Sequence, residues 1–404
     1  MQKKNAQSRS FLLILVTYAA FVSLGLPDGL LGIAWPFMSE RFTVPLDALG
    51  ILLIGFVGGY LSTSTTGGKI MSIIPLGVLL SLSCFLTGLS LLAYAIAGYW
   101  WMVIIASYFL GAGGGAIDTS INTFAASRFS ASVVNWLHGF YGVGATTGPL
   151  IMSWILSNDM AWYNGYLIVG VIQISLSIIF LLTLKYWKVS EEQEEEQISA
   201  SYGEALRMPK VWLNILIFFI YTGLEVSVGQ WIFTVLTRSR EIAEADAGLW
   251  TSAYWGSFTL GRILFGFILT RLSLQKVLIS TLVGIIAGTI LLAIHLSNVM
   301  SLAGIILIGL ANAPVFPSLI SNTPKQIGKN HLANVIGFQI SSAMVGGALL
   351  PAFAGWMMDL FTLEVIPKLF IAEAIFLLLL FLISIGMRSP ISQDNHSQGT
   401  TSSN

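Results

Sequence analysis

The sequence predicts an all-α membrane protein with twelve transmembrane helices, arranged as two pseudo-symmetric six-helix bundles. Three observations lead to this prediction: an apolar composition, a succession of apolar segments of helical length, and a weak internal repeat. Of the 404 residues, 55% are hydrophobic and 9% are charged, whereas soluble domains carry about 25% charged residues. Lipid rather than water is therefore the expected solvent for most of the chain.

Apolar segments long enough to cross a bilayer recur along the whole chain. Residues 70–117 contain no Asp, Glu, Lys or Arg, which is enough for two helices of about 20 residues each and a short turn. The spans predicted in the first half are 11–35, 48–66, 76–97, 100–124, 133–156 and 166–187. Those predicted in the second half are 211–236, 248–270, 274–296, 300–322, 333–358 and 367–386.

The basic residues predict that both termini lie in the cytoplasm. With the N-terminus inside, the Lys and Arg residues assigned to the outside are Arg41, Arg238, Arg240 and Lys368, while Arg262 lies within a span. Cytoplasmic loops carry an excess of Lys and Arg, as this assignment gives. No small-residue cleavage pattern follows the first span, so we expect an uncleaved anchor in the cell membrane, inner or plasma.

A polar segment at residues 188–210 divides the predicted spans six and six. It separates a first bundle, residues 1–187, from a second, residues 211–388, and it holds five clustered glutamates. Charge runs are usually solvated connectors, which we favour over a regulatory acidic loop. The tail at 389–404 is rich in Ser, Thr, Gln and Asn and is expected to be disordered.

Glycine positions repeat between the two halves. A shift of 198 residues places Gly111 on Gly309, and a shift of 202 residues places Gly144 on Gly346. Parallel repeats of six spans are typical of transporters that rock two halves around a site at the membrane midplane. The repeat therefore predicts a mechanism as well as a fold.

Three carboxyl residues within predicted spans are the main functional candidates, because charged groups in hydrocarbon are costly and usually functional. Asp28 in span 1 follows Pro27 in a glycine-containing segment; its alternative is a helix-end residue in the headgroup region. Glu225 lies about 21 Å along span 7, and Asp118 lies in the cytoplasmic part of span 4. A carboxyl group can carry a proton when its cavity is alternately open to water and closed to it. We therefore predict Asp28, Asp118 and Glu225 as proton-coupling residues.

Three basic residues are predicted to brace or gate the protein. Arg262 in span 8 is expected to have a carboxylate or helix-end carbonyl groups as its partner. His138 at the start of span 5 is either a proton-transfer group or a structural histidine. Arg128, near the end of span 4, is a candidate partner for Asp118 if that residue forms a gate.

The predicted solute contacts are polar or aromatic residues within spans. Asn122 lies one helical turn from Asp118 and so on the same face. Aromatic rings can stack on sugars, although they also populate lipid interfaces. The predicted contacts are Asn122, Tyr141, Gln230, Trp231, Tyr254, Trp255, Asn312 and Gln339.

Composition and motifs argue against other classes of protein. The formal net charge is zero and the four histidines are scattered, so neither nucleic-acid binding nor a metal site is predicted. The chain lacks HExxH and GxSxG motifs, so an enzyme is not predicted. A receptor would need a signalling domain larger than the linker or tail. No cofactor is expected, and the expected state is a monomer in the lipid bilayer.

A set of motif residues indicates a resemblance to a known family. They are Gly111, Gly113, Gly115, Asp118 and Asn122; residues 137–144 with Gly148 and Pro149; Glu225 with Trp231; residues 254–266; and Pro314 with Pro317. With these residues the chain from Phe11 to about Arg388 resembles the major facilitator superfamily. The resemblance is to the branch of the bacterial fucose permease and the vertebrate sodium-dependent glucose transporters.

This resemblance implies proton-coupled, alternating-access transport of a small solute, a sugar or related polyhydroxy compound, with sodium as the alternative coupling ion. Asp118 and Asn122 stand where the fucose permease has an acidic residue followed four positions later by Asn, and Asp28 resembles its carboxylate in span 1. Asp118 replaces a longer Glu, and the usual acidic and basic loop between spans 2 and 3 is missing. Gly148 and Pro149 also resemble an antiporter motif, so proton-coupled efflux of lipophilic compounds is the alternative.

Overall fold

The computed structural model describes residues 2–129, 131–187, 202–268, 273–327 and 331–387. These ranges are almost entirely helical and contain no β-strand. The predicted acidic segment, apart from residues 202–210, and the predicted tail lie outside the described residues.

The first half contains six long helices. They are α1 (Gln2–Phe42), α2 (Leu49–Ile73), α3 (Leu76–Ile96), α4 (Trp100–Arg128), α5 (Ala131–Ser157) and α6 (Tyr163–Leu182).

The second half begins with the short helix α7 (Tyr202–Leu206) and contains seven longer ones. They are α8 (Pro209–Thr234), which continues as a π-helical turn over Val235–Ser239, α9 (Glu244–Ile268), α10 (Leu274–Ile294), α11 (Asn298–Asn312), α12 (Val315–Gln326), α13 (Leu332–Leu360) and α14 (Val365–Gly386).

Two boundaries differ from the prediction in ways that matter for function. Predicted span 10 is one membrane-crossing segment, Asn298–Pro324, but its helical hydrogen-bond ladder is interrupted at Ala313 and Pro314, between α11 and α12, because proline has no N–H to continue it. Predicted span 1 ends at residue 35, but α1 continues to Phe42. Asp28 therefore lies near the middle of the candidate span Leu12–Phe42.

Ten helical segments of the described chain are long and apolar enough to cross a membrane. The other two predicted spans, 5 and 8, correspond to α5 and α9, which are of transmembrane length but carry many Gly, Ser and Thr residues. These two helices pack against each other between the halves. A helix shielded from lipid on that side needs a less continuous apolar surface.

Helix pairing repeats between the two bundles. In the first bundle α1 packs against α5, α2 against α4 and α3 against α6; in the second, α8 packs against α13, α9 against α11 and α10 against α14. The repeated glycines lie at equivalent crossings. A Cβ atom at Gly111 would lie 1.8 Å from Phe56 O, and one at Gly309 would lie 2.3 Å from Tyr254 O.

The largest contacts between the two bundles are those of α1 with α8, α2 with α13 and α5 with α9. We call the side on which α1 begins and α14 ends the terminus side, and the opposite side the far side. Contacts between the bundles include the crossing of Gly32 with Gly229, the crossing of Gly50 with Ala352, and an ion pair between Glu40 and Arg238. These contacts lie on the far side, and the described arrangement is closed there.

Gly346→Val is expected to lower the thermal stability of the protein strongly. A Cβ atom at Gly346 would lie 2.0 Å from Phe219 O on α8, so α8 and α13 must separate, at a cost of about 1–3 kcal/mol or more. Gly337→Val in the same helix is the matched control, because nothing lies within 4 Å of a Cβ atom there. Thermal unfolding of the purified protein in detergent measures both; equal losses of Tm would contradict the packing argument.

Candidate functional site

The three predicted carboxyl residues belong to one electrostatic group. Asp28 on α1 interacts with both Asp118 on α4 and Glu225 on α8. Asp28 and Glu225 lie near the midpoints of the segments Leu12–Phe42 and Pro209–Ser239. All three residues are partly exposed despite their depth. Asp28 is the carboxyl residue on which the charges of the other two both act.

Asp28 is held by α5 of its own bundle and contacts α8 of the other. The Tyr141 hydroxyl group donates a hydrogen bond of 2.5 Å to the Asp28 carboxylate. Gly25 permits this, since a Cβ atom there would lie 2.2 Å from Tyr141 O. The side-chain amide of Gln230 donates to the backbone carbonyl of Asp28 at 3.3 Å. Asp28, Tyr141 and Gln230, three of the predicted residues, thus meet where α1 crosses between the bundles.

Asp118 has partners on α2 and on its own helix. Tyr60 donates a hydrogen bond of 2.5 Å to one carboxylate oxygen, and the Asn122 amide donates one of 2.8 Å to the other. The predicted pair of Asp118 and Asn122 is therefore a direct contact. Tyr60 was not predicted; its signal in the sequence is its place beside Gly59, which closes a GxxxG motif at a helix crossing.

Glu225 lies among aromatic and polar groups of the second bundle. Tyr221 and the charge of Arg262 both act on the Glu225 carboxyl group. The guanidinium group of Arg262 lies 4.4 Å from the centre of the Phe258 ring, and its pairing with a carboxylate stays a prediction. Tyr221, one helical turn before Glu225, could have been found from that spacing.

A hydrogen-bond chain links this carboxyl residue to the break between α11 and α12. Tyr254 donates to the backbone carbonyl of Glu225 at 2.9 Å, and the Asn312 amide lies 3.5 Å from the Tyr254 hydroxyl group. Tyr221 in turn reaches the backbone carbonyl of Asn312 at 3.0 Å. The broken helix therefore supplies polar backbone at the site, which membrane proteins tolerate where protein or a cavity can satisfy it.

Some polar atoms around the site have no hydrogen-bond partner among the described residues. They are Gln230 Oε1, Trp255 Nε1 and Asn312 Oδ1, and each is buried. Buried polar atoms in proteins are nearly always paired. These two acceptors and one donor could pair with the hydroxyl groups of a solute once the packing around them opens.

The described contacts of Trp231, Gln339 and Arg128 are with residues other than the three carboxyl residues. Trp231 is fully buried and donates to Pro351 O at 2.9 Å. Gln339 is fully buried on the terminus side, where it contacts Asn214 and Thr323. Arg128 is exposed, with its guanidinium group 5.8 Å from the centre of the Phe124 ring. His138 lies in α5, but its side chain lies outside the described part of the structure.

One carboxyl residue within a span was not among the predicted site residues. Glu373 lies in α14, and its Oε2 atom is buried and has no hydrogen-bond partner among the described residues. The signal was available, because a single acidic residue in an apolar span is a functional candidate by default. No group of three His, Cys, Asp or Glu side chains in the described ranges could hold a metal ion.

A polar cluster ties together the loops of the second bundle on the far side. Arg240 donates to both carboxylate oxygens of Glu364 at 2.9 Å and to the Ser301 hydroxyl group at 3.2 Å. His295 Nδ1 lies 2.7 Å from the same hydroxyl group. The hydrogen bonds from Arg240 hold the pKa of Glu364 below its ordinary value. Burial and the charge of Arg240 lower the pKa of His295.

This cluster predicts that thermal stability falls on acidification. Because the pKa of His295 is lowered in the folded protein, the folded state should lose stability as the pH falls below the ordinary value of 6.5, since the unfolded chain then binds more protons. The stabilisation from Glu364 is present above its ordinary pKa of 4.5 and is lost as the pH falls through the lowered value. Thermal unfolding of His295→Gln should lack the loss that begins near neutral pH, whereas Glu241→Gln, an exposed control, should keep it. A wild-type Tm that stays constant from pH 7.5 to 5 would contradict this.

Comparison with known proteins identifies relatives over nearly the whole chain. The sequence matches the Major Facilitator Superfamily over residues 17–240 and 213–401. It is 25% identical to the glucose/mannose transporter GlcP of Bacillus subtilis over 403 residues, covering 95% of this chain and 98% of that protein.

Two solved structures share the fold. The nucleoside transporter NupG has a TM-score of 0.72 at 15% identity, covering 93% of this chain and 100% of that one. The fucose:proton symporter of E. coli has a TM-score of 0.61 at 18% identity, covering 91% of this chain and 98% of that one.

Proposed function

Because the chain belongs to the Major Facilitator Superfamily, we propose that it carries a sugar across the membrane by proton-coupled alternating access. It is a multi-pass membrane transport protein and not an enzyme. The proposal adds the solute, the coupling ion and the mechanism to that assignment.

One observation carries the coupling part of the proposal: Asp28 of the first bundle and Glu225 of the second both lie near the midpoints of their spans, and Gln230, on the same helix as Glu225, donates to the Asp28 carbonyl. Carboxyl groups that repel one another in a desolvated space favour protonation, and water entering that space favours release of the proton. Asp28, Asp118 and Glu225 change surroundings when the bundles rock. A proton bound on one side can then be released on the other.

The choice of a sugar is supported by the relatives and by the chemistry of the site. The relative GlcP is a glucose/mannose transporter, and one structural neighbour is a fucose:proton symporter. A polyhydroxy solute both donates and accepts hydrogen bonds, which suits the unpartnered atoms of Gln230, Trp255 and Asn312. The ring of Tyr141 and that of Trp255 add flat surfaces for sugar faces.

The geometry suggests how the far side opens. Rocking of the bundles breaks the hydrogen bond from Gln230 to the Asp28 carbonyl and the ion pair between Glu40 and Arg238. The Gln230 amide then gains a free donor beside its free acceptor, next to the carboxylate of Asp28. Solute binding and proton binding are thereby linked through one residue pair.

In this proposal the protein is a monomer in the plasma or inner membrane of the cell, and its terminus side faces the cytoplasm. The basic-residue distribution supports this orientation. The far side, where Glu40 pairs with Arg238, would then face away from the cytoplasm.

Efflux of lipophilic compounds remains the competing function from the sequence. Gly148 is one of the two residues that resemble the antiporter motif. Helix packing explains its presence without efflux, since a Cβ atom there would lie 2.3 Å from Leu26 O.

The experiment that separates the functions is transport in proteoliposomes with a pH-sensitive dye inside. Inward glucose, mannose or fucose flow that acidifies the lumen supports the proposal. Alkalinisation on solute entry indicates antiport, and uptake that depends on sodium and not on pH indicates sodium coupling.

A further inference from the structure

A cavity of about 210 Å³ lies on the terminus side of the second bundle. Its lining includes none of the three predicted proton-coupling residues. It is bordered by the beginnings of α8 and α10 and by the ends of α12 and α14. Polar lining groups come from Lys210, Gln275, Asn322, Gln326 and Ser384. Apolar lining groups come from Leu278, Phe381 and Ile385. One part of the cavity therefore offers charge and hydrogen bonds, and another offers hydrocarbon.

Lys210 is a buried cation without an anionic partner among the described residues. It is 7% exposed, and its ammonium group donates to Met387 O at 3.1 Å. Neither the ion pair of Glu40 with Arg238 nor that of Glu364 with Arg240 involves Lys210. An ammonium group has three donors, and a buried charge without a counter-charge is costly. The cavity beside Lys210 is thus suited to an anion.

The cavity also lies at the edge of the lipid bilayer. Lys210 is the second residue of α8, and the nearby Trp212 is 56% exposed, with its indole N–H bonded to Leu206 O. Exposed tryptophans of this kind are typical of membrane interfaces. Ile385 on α14 is 40% exposed and Ile383 is 55% exposed. The apolar part of the cavity is therefore continuous with a surface that faces acyl chains.

We propose that this cavity binds the phosphate group of an anionic phospholipid from the leaflet on the terminus side, which is cytoplasmic in the orientation proposed above. Lys210 supplies the counter-charge, and the side chains of Gln275, Asn322 and Ser384 donate hydrogen bonds. An acyl chain follows Leu278, Phe381 and Ile385. Basic pockets between transmembrane helices on the cytoplasmic side are suited to such headgroups. A zwitterionic lipid binds less well, because its own cation competes with Lys210.

The test is thermal unfolding of the full-length protein in detergent with added short-chain phosphatidylglycerol or phosphatidylcholine. Phosphatidylglycerol is expected to raise Tm more than phosphatidylcholine. Lys210→Gln should weaken the apparent affinity for phosphatidylglycerol about fivefold or more, whereas Lys210→Arg should retain it. Lys276→Gln is the matched control, because Lys276 is exposed at the same end of α10 and lies outside the cavity lining.

Equal stabilisation by the two lipids would overturn the proposal, as would equal losses in Lys210→Gln and Lys276→Gln. Inorganic phosphate alone is expected to give no comparable rise in Tm, and an equal rise would overturn the lipid assignment in favour of a free anion. If Lys210→Gln does not fold, Gln275→Leu and Ser384→Ala replace it, and unchanged affinity in both overturns the proposal. The readout involves no transport, so failure here is distinct from failure of sugar or proton coupling.

Discussion

Asp28→Asn is expected to abolish proton-driven accumulation of solute while leaving exchange of solute down its own gradient. An amide keeps the shape of the side chain and can still accept the Tyr141 hydrogen bond, but it cannot carry a proton. One proton moving through 100 mV supplies about 2.3 kcal/mol, which corresponds to an accumulation of about fiftyfold. The accumulation ratio measured in proteoliposomes with an imposed proton gradient should therefore fall towards one.

The matched control for this change is Asp159→Asn. Asp159 is exposed, in the turn after α5, so its substitution should leave accumulation unchanged. Tyr141→Phe removes the hydroxyl group and keeps the carboxyl group, and it should retain accumulation with an altered pH dependence. Accumulation at the wild-type ratio in Asp28→Asn would remove Asp28 from the coupling pathway.

The sequence predicts the spans and the repeat because both rest on local information. An apolar stretch of sufficient length has no alternative to a helix in lipid, and glycines recur where helices cross closely, as Gly144 and Gly346 do against Val22 O and Phe219 O. The carboxyl candidates follow from the cost of charge in hydrocarbon. These inferences need no knowledge of which helices are neighbours.

What could not be predicted depends on contacts between distant helices. Tyr60 lies 58 residues from Asp118, and Tyr141 lies 113 residues from Asp28. The rotation of each helix about its axis is also poorly defined by an almost uniformly apolar sequence. This is why the sequence did not show that Trp231 bonds to Pro351 and Gln339 to Asn214 instead of contacting the three carboxyl residues.

Arg262→Gln is expected to destabilise the protein, and Glu225→Gln is expected to restore much of the loss when the two are combined. The charge of Arg262 acts on Glu225 within the membrane. Removing one member of a buried charge pair leaves the other uncompensated, at a cost of about 3–5 kcal/mol when burial is complete. Both residues are partly exposed, so a loss towards the lower end is expected. The double variant carries no charge at either position and avoids the penalty.

The sign of the pH dependence distinguishes this pair from ordinary packing. Acid should reduce the loss in Arg262→Gln, because a protonated Glu225 needs no counter-charge, whereas a packing defect persists at every pH. Thermal unfolding of the wild type, both single variants and the double variant at pH 5 and pH 8 gives the coupling energy. Arg207→Gln, which changes an exposed arginine of the same bundle, is the control and should leave Tm unchanged. Additive losses in the double variant at pH 8 would show that Arg262 and Glu225 act independently and that Arg262 braces another part of the bundle.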